Sequence, residues 1–195
     1  MPLSERQVDV VIGTLLGDGC LEANGRFVRL RTDHSAKQRE YVFWKFQEMH
    51  NLAASKPRFV EYYDKRTCKI YKHWRFDTIS TEIFVPFKNL FYTYSNKQIH
   101  LNIKELLMRP LSLAVWFMDD GYKRKDCKGA YLNTQAYSKQ GQRLLQEALE
   151  KNFGIKTRIH WARGRPKLYI PSGQFDAFQN LIKFEAIPCL QEKLL

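Results

Sequence analysis

Val10-Val11-Ile12-Gly13-Thr14-Leu15-Leu16-Gly17-Asp18-Gly19 returns, in altered form, as Leu113-Ala114-Val115-Trp116-Phe117-Met118-Asp119-Asp120-Gly121. Each stretch is an apolar run of helical length that ends in an Asp followed by Gly. This predicts a helix stopped by a glycine in the left-handed backbone that C′ favours. Each Asp then sits at the carboxyl end of its helix, where the helix dipole is negative and an anion is disfavoured. One such Asp could be an accident of capping. Two, each ending an apolar helix, call for a compensating cation, and a divalent metal is the natural one. Gly13 and Gly17 lie four apart on one helical face. Glycine weakens a helix interior, so a second helix is expected to approach closely there. One glycine for packing and one as part of the stop is the alternative.

The two runs resemble the LAGLIDADG motif of homing endonucleases, in the single-chain form that carries two motifs. The second copy, preceded by Arg109-Pro110-Leu111-Ser112, is the closer match. The resemblance covers nearly the whole chain and implies a set of roles. Asp18 and Asp120 would bind the catalytic metal, Mg²⁺ with Mn²⁺ or Ca²⁺ able to take its place, and the carbonyls of Gly17 and Asp119 would add ligands. Lys97, in Asn96-Lys97-Gln98, and Lys193, in Glu192-Lys193-Leu194, would each stand near a scissile phosphate. The product ends would be 3′ overhangs, and the gene would lie in a mobile intron or intein. The Asp119 carboxylate is open between a partner of the site and a residue of the cap region. The sequence departs from the family pattern at Gly17 and at the bulkier Asp119, which leaves the helix crossing open.

Charge points the same way. The formal net charge is +12 over 195 residues. Residues 1–100 carry 16 Lys and Arg against 11 Asp and Glu, and residues 101–195 carry 16 against 9. Both halves are basic, so a phosphate backbone is the expected partner, against the plainer reading of a chain kept soluble by its charge. Cys20, Cys68, Cys127 and Cys189 are too scattered for a zinc knuckle. No signal peptide precedes the first helix, and no apolar run reaches membrane-spanning length. Free thiols and an intracellular setting are expected, in the cytoplasm, the nucleoid or an organelle matrix, with no membrane partner.

In chain order, residues 4–17 form the first helix with Ser4 as N-cap. Asn24-Gly25 predicts a type I′ hairpin turn. In its second strand Val28 and Leu30 face one way, and Phe27, Arg29 and Arg31 the other. Two arginines on a strand face suit guanine edges or phosphates, or form an ordinary solvated face. Residues 35–52 read as a helix with core aromatics Tyr41, Phe43, Trp44 and Phe46; Lys37, Arg39, Glu40, Lys45 and Glu48 fall between the apolar positions. A ribbon follows over 58–63 and 69–78. Tyr71, His73, Arg75 and Asp77 share one of its faces, and His73, lacking a partner His, is a sheet residue and not a ligand. Residues 81–92 are helical if Pro86 falls in the first turn. Residues 95–98 are a polar break and 103–108 a short helix.

The second half repeats the order: helix from 111 or 112, strands 121–125 and 130–137, helix 138–153 ended by Gly154, strands 156–162 and 167–171 joined by Arg163-Gly164-Arg165-Pro166, and helix 173–183. Tyr131, Asn133 and Gln135 share a face, and Asn and Gln are the side chains that read adenine bidentately. Phe84-x-x-Phe87-x-Asn89-Leu90 recurs as Phe175-x-x-Phe178-x-Asn180-Leu181.

The expected fold is therefore α+β: two pseudo-symmetric αββαββα halves, 1–100 and 101–195, with the motif helices packed at the centre. Neither four-stranded antiparallel sheet has helices enough for both faces, so one face of each stays open, together a saddle for duplex DNA. In the first half the expected contacts are Arg26, Arg29, Arg31, Tyr71, His73 and Arg75. In the second they are Lys123, Tyr131, Asn133 and Gln135, then Arg158, His160, Lys167 and Tyr169. The reading is a monomeric, metal-dependent, site-specific double-strand DNA endonuclease. A nuclease-dead DNA-binding regulator and an RNA maturase acting on its own intron RNA are the alternatives.

Overall fold

Ser4 opens the first helix, α1 (Glu5–Leu16), with a reciprocal cap. Gln7 N donates to Ser4 Oγ at 3.2 Å and Ser4 N donates to Gln7 Oε1 at 3.1 Å, satisfying two donors that a helix start leaves over. The computed structural model describes residues 2–162, 164–185 and 187.

After α1 come β1 (Cys20–Asn24), β2 (Phe27–Ser35), α2 (Arg39–Glu48), β3 (Arg58–Asp64), β4 (Lys69–Asp77) and α3 (Val85–Phe91). A short hairpin, β5 (Tyr92–Thr93) and β6 (Asn96–Lys97), and α4 (Ile103–Leu106) lead to α5 (Pro110–Asp120). Then follow β7 (Gly121–Lys123), β8 (Ala130–Leu132), α6 (Lys139–Phe153), β9 (Arg158–Ala162), β10 (Arg165–Ile170) and α7 (Ser172–Ile182). Both four-stranded sheets are antiparallel, and they share one strand order, β1-β2-β4-β3 and β7-β8-β10-β9. This is the α+β repeat expected from the sequence.

The two motif helices lie in the core and against each other. Val10 to Leu16 and Leu111 to Asp119 are buried throughout. A methyl group on Gly13 would lie 2.5 Å from the Ser112 carbonyl oxygen and 2.6 Å from Val115 Cβ, and one on Gly17 would lie 2.3 Å from Asp119 Cβ. Both glycines therefore serve the crossing. At its far end the crossing is pinned by Asp9, which accepts from Ser112 Oγ at 3.0 Å and from Arg109 Nη1 at 3.3 Å. Gly13→Ala is expected to destabilise the fold by about 1–3 kcal/mol, as overpacking does. Gly173→Ala, with nothing within 4 Å of the added carbon, should be neutral or slightly stabilising. Urea denaturation of both variants checks the contrast.

Several expectations are corrected. Gly19 and Gly121 are not left-handed; positive φ among the described glycines is confined to Gly25, Gly154 and Gly164. They are glycines because a Cβ would fall 2.2 Å from Thr14 Cγ2 and 2.1 Å from Phe117 Cδ2, respectively. The first hairpin turns on Gly25-Arg26, since Asn24 already pairs with Phe27, and only Gly25 has positive φ. That is the type II′ pattern, with Gly at the first central position. The helix read at 35–52 is shorter, a 3₁₀ turn over 36–38 followed by α2. Pro86 does fall in the first turn of α3, where its missing N–H costs nothing. The break at 95–98 is part of the β5–β6 hairpin.

The strand read at 130–137 stops at Leu132. Asn133 N turns to donate to the Asp120 carbonyl at 3.0 Å, and the Thr134 hydroxyl is drawn into the core, donating to Gln142 Oε1 at 2.6 Å and accepting from Leu168 N at 3.2 Å. The strand from 121 likewise ends at Lys123, and β10 starts two residues early, at Arg165.

Candidate active site and nucleic-acid interface

The ends of α1 and α5 meet where Gly17 touches Asp119. The residues that follow, Asp18 and Asp120, therefore emerge side by side. Asp18 lies just past the Gly17 C-cap with its side chain 48% exposed, and Asp120 is the last residue of α5. Burial pulls the pKa of Lys45 and of Lys97 down, and Asp119, Asp18 and Asp120 all oppose that pull at both lysines. Asp18 and Asp120 share one electrostatic site.

Asp119, between them, has a different part. Its carboxylate is 0% exposed and accepts from Lys45 Nζ at 2.7 and 2.9 Å, from Tyr41 Oη at 2.6 Å and from Asp18 N at 3.2 Å. His34 Nε2 is 3.3 Å from Lys45 Nζ, and His34 Nδ1 is 3.7 Å from Asp18 Oδ2. Burial pushes the Asp119 carboxyl up, but the Lys45 and His34 charges and the bonds from Lys45 and Tyr41 hold it below the usual carboxylate range. It is the anion of a buried ion pair. Its hydrogen bond fixes the backbone of Asp18.

Lys97 arrives from the other side on the β5–β6 hairpin. Its Nζ donates to the Gly17 carbonyl at 2.7 Å. Burial pulls this ammonium down, and Asp119, Asp120, Cys20 and Asp18 oppose that pull. The hairpin is stapled to β1: Leu21 N donates to Tyr92 Oη at 3.0 Å, and Lys88 Nζ donates to the Leu21 carbonyl at 2.7 Å. Burial pushes the Tyr92 phenol up to about 12. Tyr137 Oη donates to the Leu16 carbonyl at 3.0 Å. The carbonyls that the end of α1 leaves over are thus met by side chains. Lys193 lies outside the described residues.

Among the described residues no group of three or more His, Cys, Asp and Glu side chains is placed to hold a metal. The donors at hand are two carboxylates and the carbonyls of a helix end. That set fits Mg²⁺, which takes hard oxygen ligands, needs only one or two carboxylates and keeps several waters.

A family model described as the LAGLIDADG DNA endonuclease family matches residues 8–178. The chain belongs to that family. It is 28% identical to DNA endonuclease I-ChuI of Chlamydomonas applanata over 211 residues, covering 100% of this chain and 96% of that protein. It is 27% identical to a Wickerhamomyces canadensis protein named Probable intron-encoded endonuclease 1, covering 99% of this chain and 85% of that one. The fold matches a structure of the homing endonuclease I-WcaI bound to its DNA recognition sequence, with a TM-score of 0.92 at 27% identity, over 100% of this chain and 88% of that one.

This LAGLIDADG DNA endonuclease presents one face of each four-stranded sheet outward. In the first sheet the cross-strand pairs Glu22–Arg29, Arg31–Asp77, Asp33–Arg75 and Arg58–Arg75 share one face, together with His73 and Tyr71. Residues Val28, Leu30, Thr32 and His34 take the opposite, buried face. Arg26 sits in the hairpin turn, 4.9 Å over the Phe27 ring. In the second sheet Tyr131, Tyr169 and Arg158 lie in one cross-strand row and Lys167 and His160 in the next. Burial and the charges of Arg124, Arg158 and Lys167 push the His160 imidazole down.

Three expected contacts need correction in their setting. Lys123 pairs with Ala130 on the covered side, its Nζ 5.9 Å from the Phe175 ring, while Tyr122 pairs with Tyr131 on the open side. Asn133 and Gln135 are not strand residues; they follow the end of β8, where Gln135 Nε2 donates to Asn133 Oδ1 at 3.2 Å.

Sequence reasoning missed Lys45, Tyr41 and Tyr137 as parts of the site. Lys45 did carry a signal. It stands four residues after Tyr41, on the same helical face, and a lysine on an apolar face calls for a buried counter-ion.

Proposed function

We propose that this DNA endonuclease cuts both strands of a long, specific duplex site, with a divalent metal held by Asp18, Asp120 and carbonyls of the two helix ends. Halves 1–100 and 101–195 would each bind one side of the site, and cleavage would leave 3′ overhangs. The observation that carries the reading is the abutment of the two motif helices at Gly17 and Asp119, with Lys97 bonded to the carbonyl beside Asp18. Mg²⁺ is the expected ion, with Mn²⁺ or Ca²⁺ able to occupy the same oxygen set. When bound, it would supply the Lewis acid that polarises the scissile phosphate.

The protein's own residues do the rest. The Asp119 carboxylate, neutralised by Lys45, holds the Asp18 backbone so that its side chain points outward. Lys97, positioned by the Tyr92 and Lys88 staple, presents an ammonium for the charge that grows on the phosphate oxygens. Lys193 is assigned the matching role on the resemblance alone, as is the carbonyl of Asp119. The sheets hold the duplex and exclude alternative registers. The chain would work as a monomer, encoded within an intron or intein. No described helix is long and apolar enough to cross a membrane.

The test is cleavage of a randomised plasmid library with Mg²⁺, followed by selection for linear product. A recovered site supports the reading. DNA binding without cleavage would leave a regulator, and binding confined to intron RNA would leave a maturase. Affinity for duplex DNA is also expected to fall steeply with salt. Each phosphate contact contributes about −0.9 to the slope of log K against log salt, and a nearly flat plot would remove the DNA-binding faces from the account.

A further inference from the structure

The two open faces differ in how they treat their cations. On the first sheet the four strand arginines of the open face are each bonded to a carboxylate of the same face. Arg29 donates to Glu22 Oε2 from Nε at 3.0 Å and Nη2 at 2.8 Å. Arg31 lies between Glu22 Oε1 at 2.5 Å and Asp77 Oδ1 at 2.8 Å. Arg58 Nη2 donates to the other Asp77 oxygen at 2.9 Å. Arg75 Nε donates to Asp33 Oδ2 at 2.7 Å, and His73 Nδ1 lies 2.7 Å from Asp33 Oδ1. The carboxylates are held within the array: the Glu22, Asp33 and Asp77 side chains are 32%, 22% and 6% exposed.

The second sheet has one such pair, Arg124 with Asp126, whose carboxylate lies just past β7 and is 67% exposed; its other groups are held differently. Lys167 Nζ stands 3.8 Å over the Tyr131 ring and donates to Tyr122 Oη at 2.5 Å. His160 stacks on Tyr169 with ring centroids 4.3 Å apart. A ring and a hydroxyl orient Lys167 without cancelling its charge.

A surface made only to grip phosphates gains nothing from three carboxylates, since each repels the DNA backbone. A guanidinium fixed by a carboxylate, however, has lost less freedom to give when it docks on a base edge. It is also a poorer partner for a stray phosphate. We propose that Glu22, Asp33 and Asp77 are specificity-determining residues of this endonuclease: they hold the first-sheet arginines in a reading array and subtract sequence-independent phosphate affinity, while the second sheet supplies most of the grip. The inference rests on the DNA-endonuclease reading. It assigns sequence discrimination chiefly to the first half of the chain.

The experiment uses the full chain with Glu22→Gln and with Asp33→Asn, both partly exposed and isosteric, and Lys167→Met as the contrast. Affinity is measured over a salt series for the selected target, for a random duplex, and for targets altered under one half or the other. Melting curves accompany each variant. Either carboxylate variant should bind random duplex more tightly, with a salt slope steeper by about one unit for the cation released. The ratio of target to random affinity should fall about fivefold or more, the lower end of what one bidentate base contact supplies. That loss should be confined to base pairs under the first half. Lys167→Met should weaken target and random duplex by the same factor. If the carboxylate variants change both affinities equally, or bind random duplex no better, the carboxylates only brace the sheet and the proposal falls. Should one variant fail to melt cooperatively, the other decides. A wild-type chain with no preferred site at all would overturn the endonuclease reading itself, before any variant is compared.

Discussion

Asp18→Asn and Asp120→Asn each abolish double-strand cleavage and leave DNA binding largely intact: this is the expected result of greatest size. Each Asp stands at the negative end of a helix, beside a second carboxylate, so its ionised form is costly unless a cation is near. Asn keeps the shape and loses the charge that would hold the metal. The Lewis-acid contribution is several kcal/mol, so the rate should drop by at least about a thousandfold. The scaffold should stand, because the backbone N–H of Asp18 that bonds to Asp119 is kept and Asn matches Asp in size at both positions. Binding rests on the sheets and should persist. A plasmid cleavage assay paired with a gel shift on the same site checks both halves of the expectation. Full cleavage by either variant would show that the acidic pair is structural.

The second large effect is on stability. Lys45 and Asp119 are both fully buried and bonded to each other. Lys45→Met removes the main cation and leaves the Asp119 carboxylate with Tyr41, the Asp18 N–H and His34 Nε2, 3.7 Å away, as its partners. Breaking a buried pair from one side costs about 3–5 kcal/mol, because the remaining charge is uncompensated. Against a total stability of about 5–15 kcal/mol, that threatens folding at 37 °C. The double variant Lys45→Met with Asp119→Asn should recover much of the loss, giving a coupling energy well outside additivity. Urea denaturation at low temperature measures all three. A single-variant cost below about 1 kcal/mol, the range of exposed pairs, would mean that the pair is not desolvated as described.

How far the sequence could be read depends on the range of the interaction. The motif helices, the Ser4 cap and the αββαββα order were legible, because periodicity and capping are local. Gly13 and Gly17 were read rightly as contact glycines from their spacing. Gly19 and Gly121 were assigned to backbone conformation, whereas side chains one turn back, Thr14 and Phe117, are the reason for them. The end of β8 was missed because what stops it, the pull of Asp120 and Gln142 on Asn133 and Thr134, is a tertiary matter. The carboxylates of the first sheet were missed for the same cause. Arg31 meets Asp77, and Asp33 meets Arg75, only through the register of β2 on β4, which no short window of sequence contains. The role of the Asp119 side chain was open for want of a partner, and that partner stands on a helix far away in the chain.

The bonds around the motif helices also bear on modularity. Tyr41 and Lys45, from the stretch carrying the first motif, hold Asp119 of the second; Tyr137, from the stretch carrying the second, holds the Leu16 carbonyl of the first. Each motif is finished by the other's neighbourhood. A hybrid enzyme made by joining one half of this chain to the complementary half of a relative would therefore carry across these partners unmatched. Its junction would need to be chosen by this exchange of side chains, and grafting Lys45 together with Asp119, and Tyr137 together with the end of α1, is the smallest unit that keeps the exchange whole.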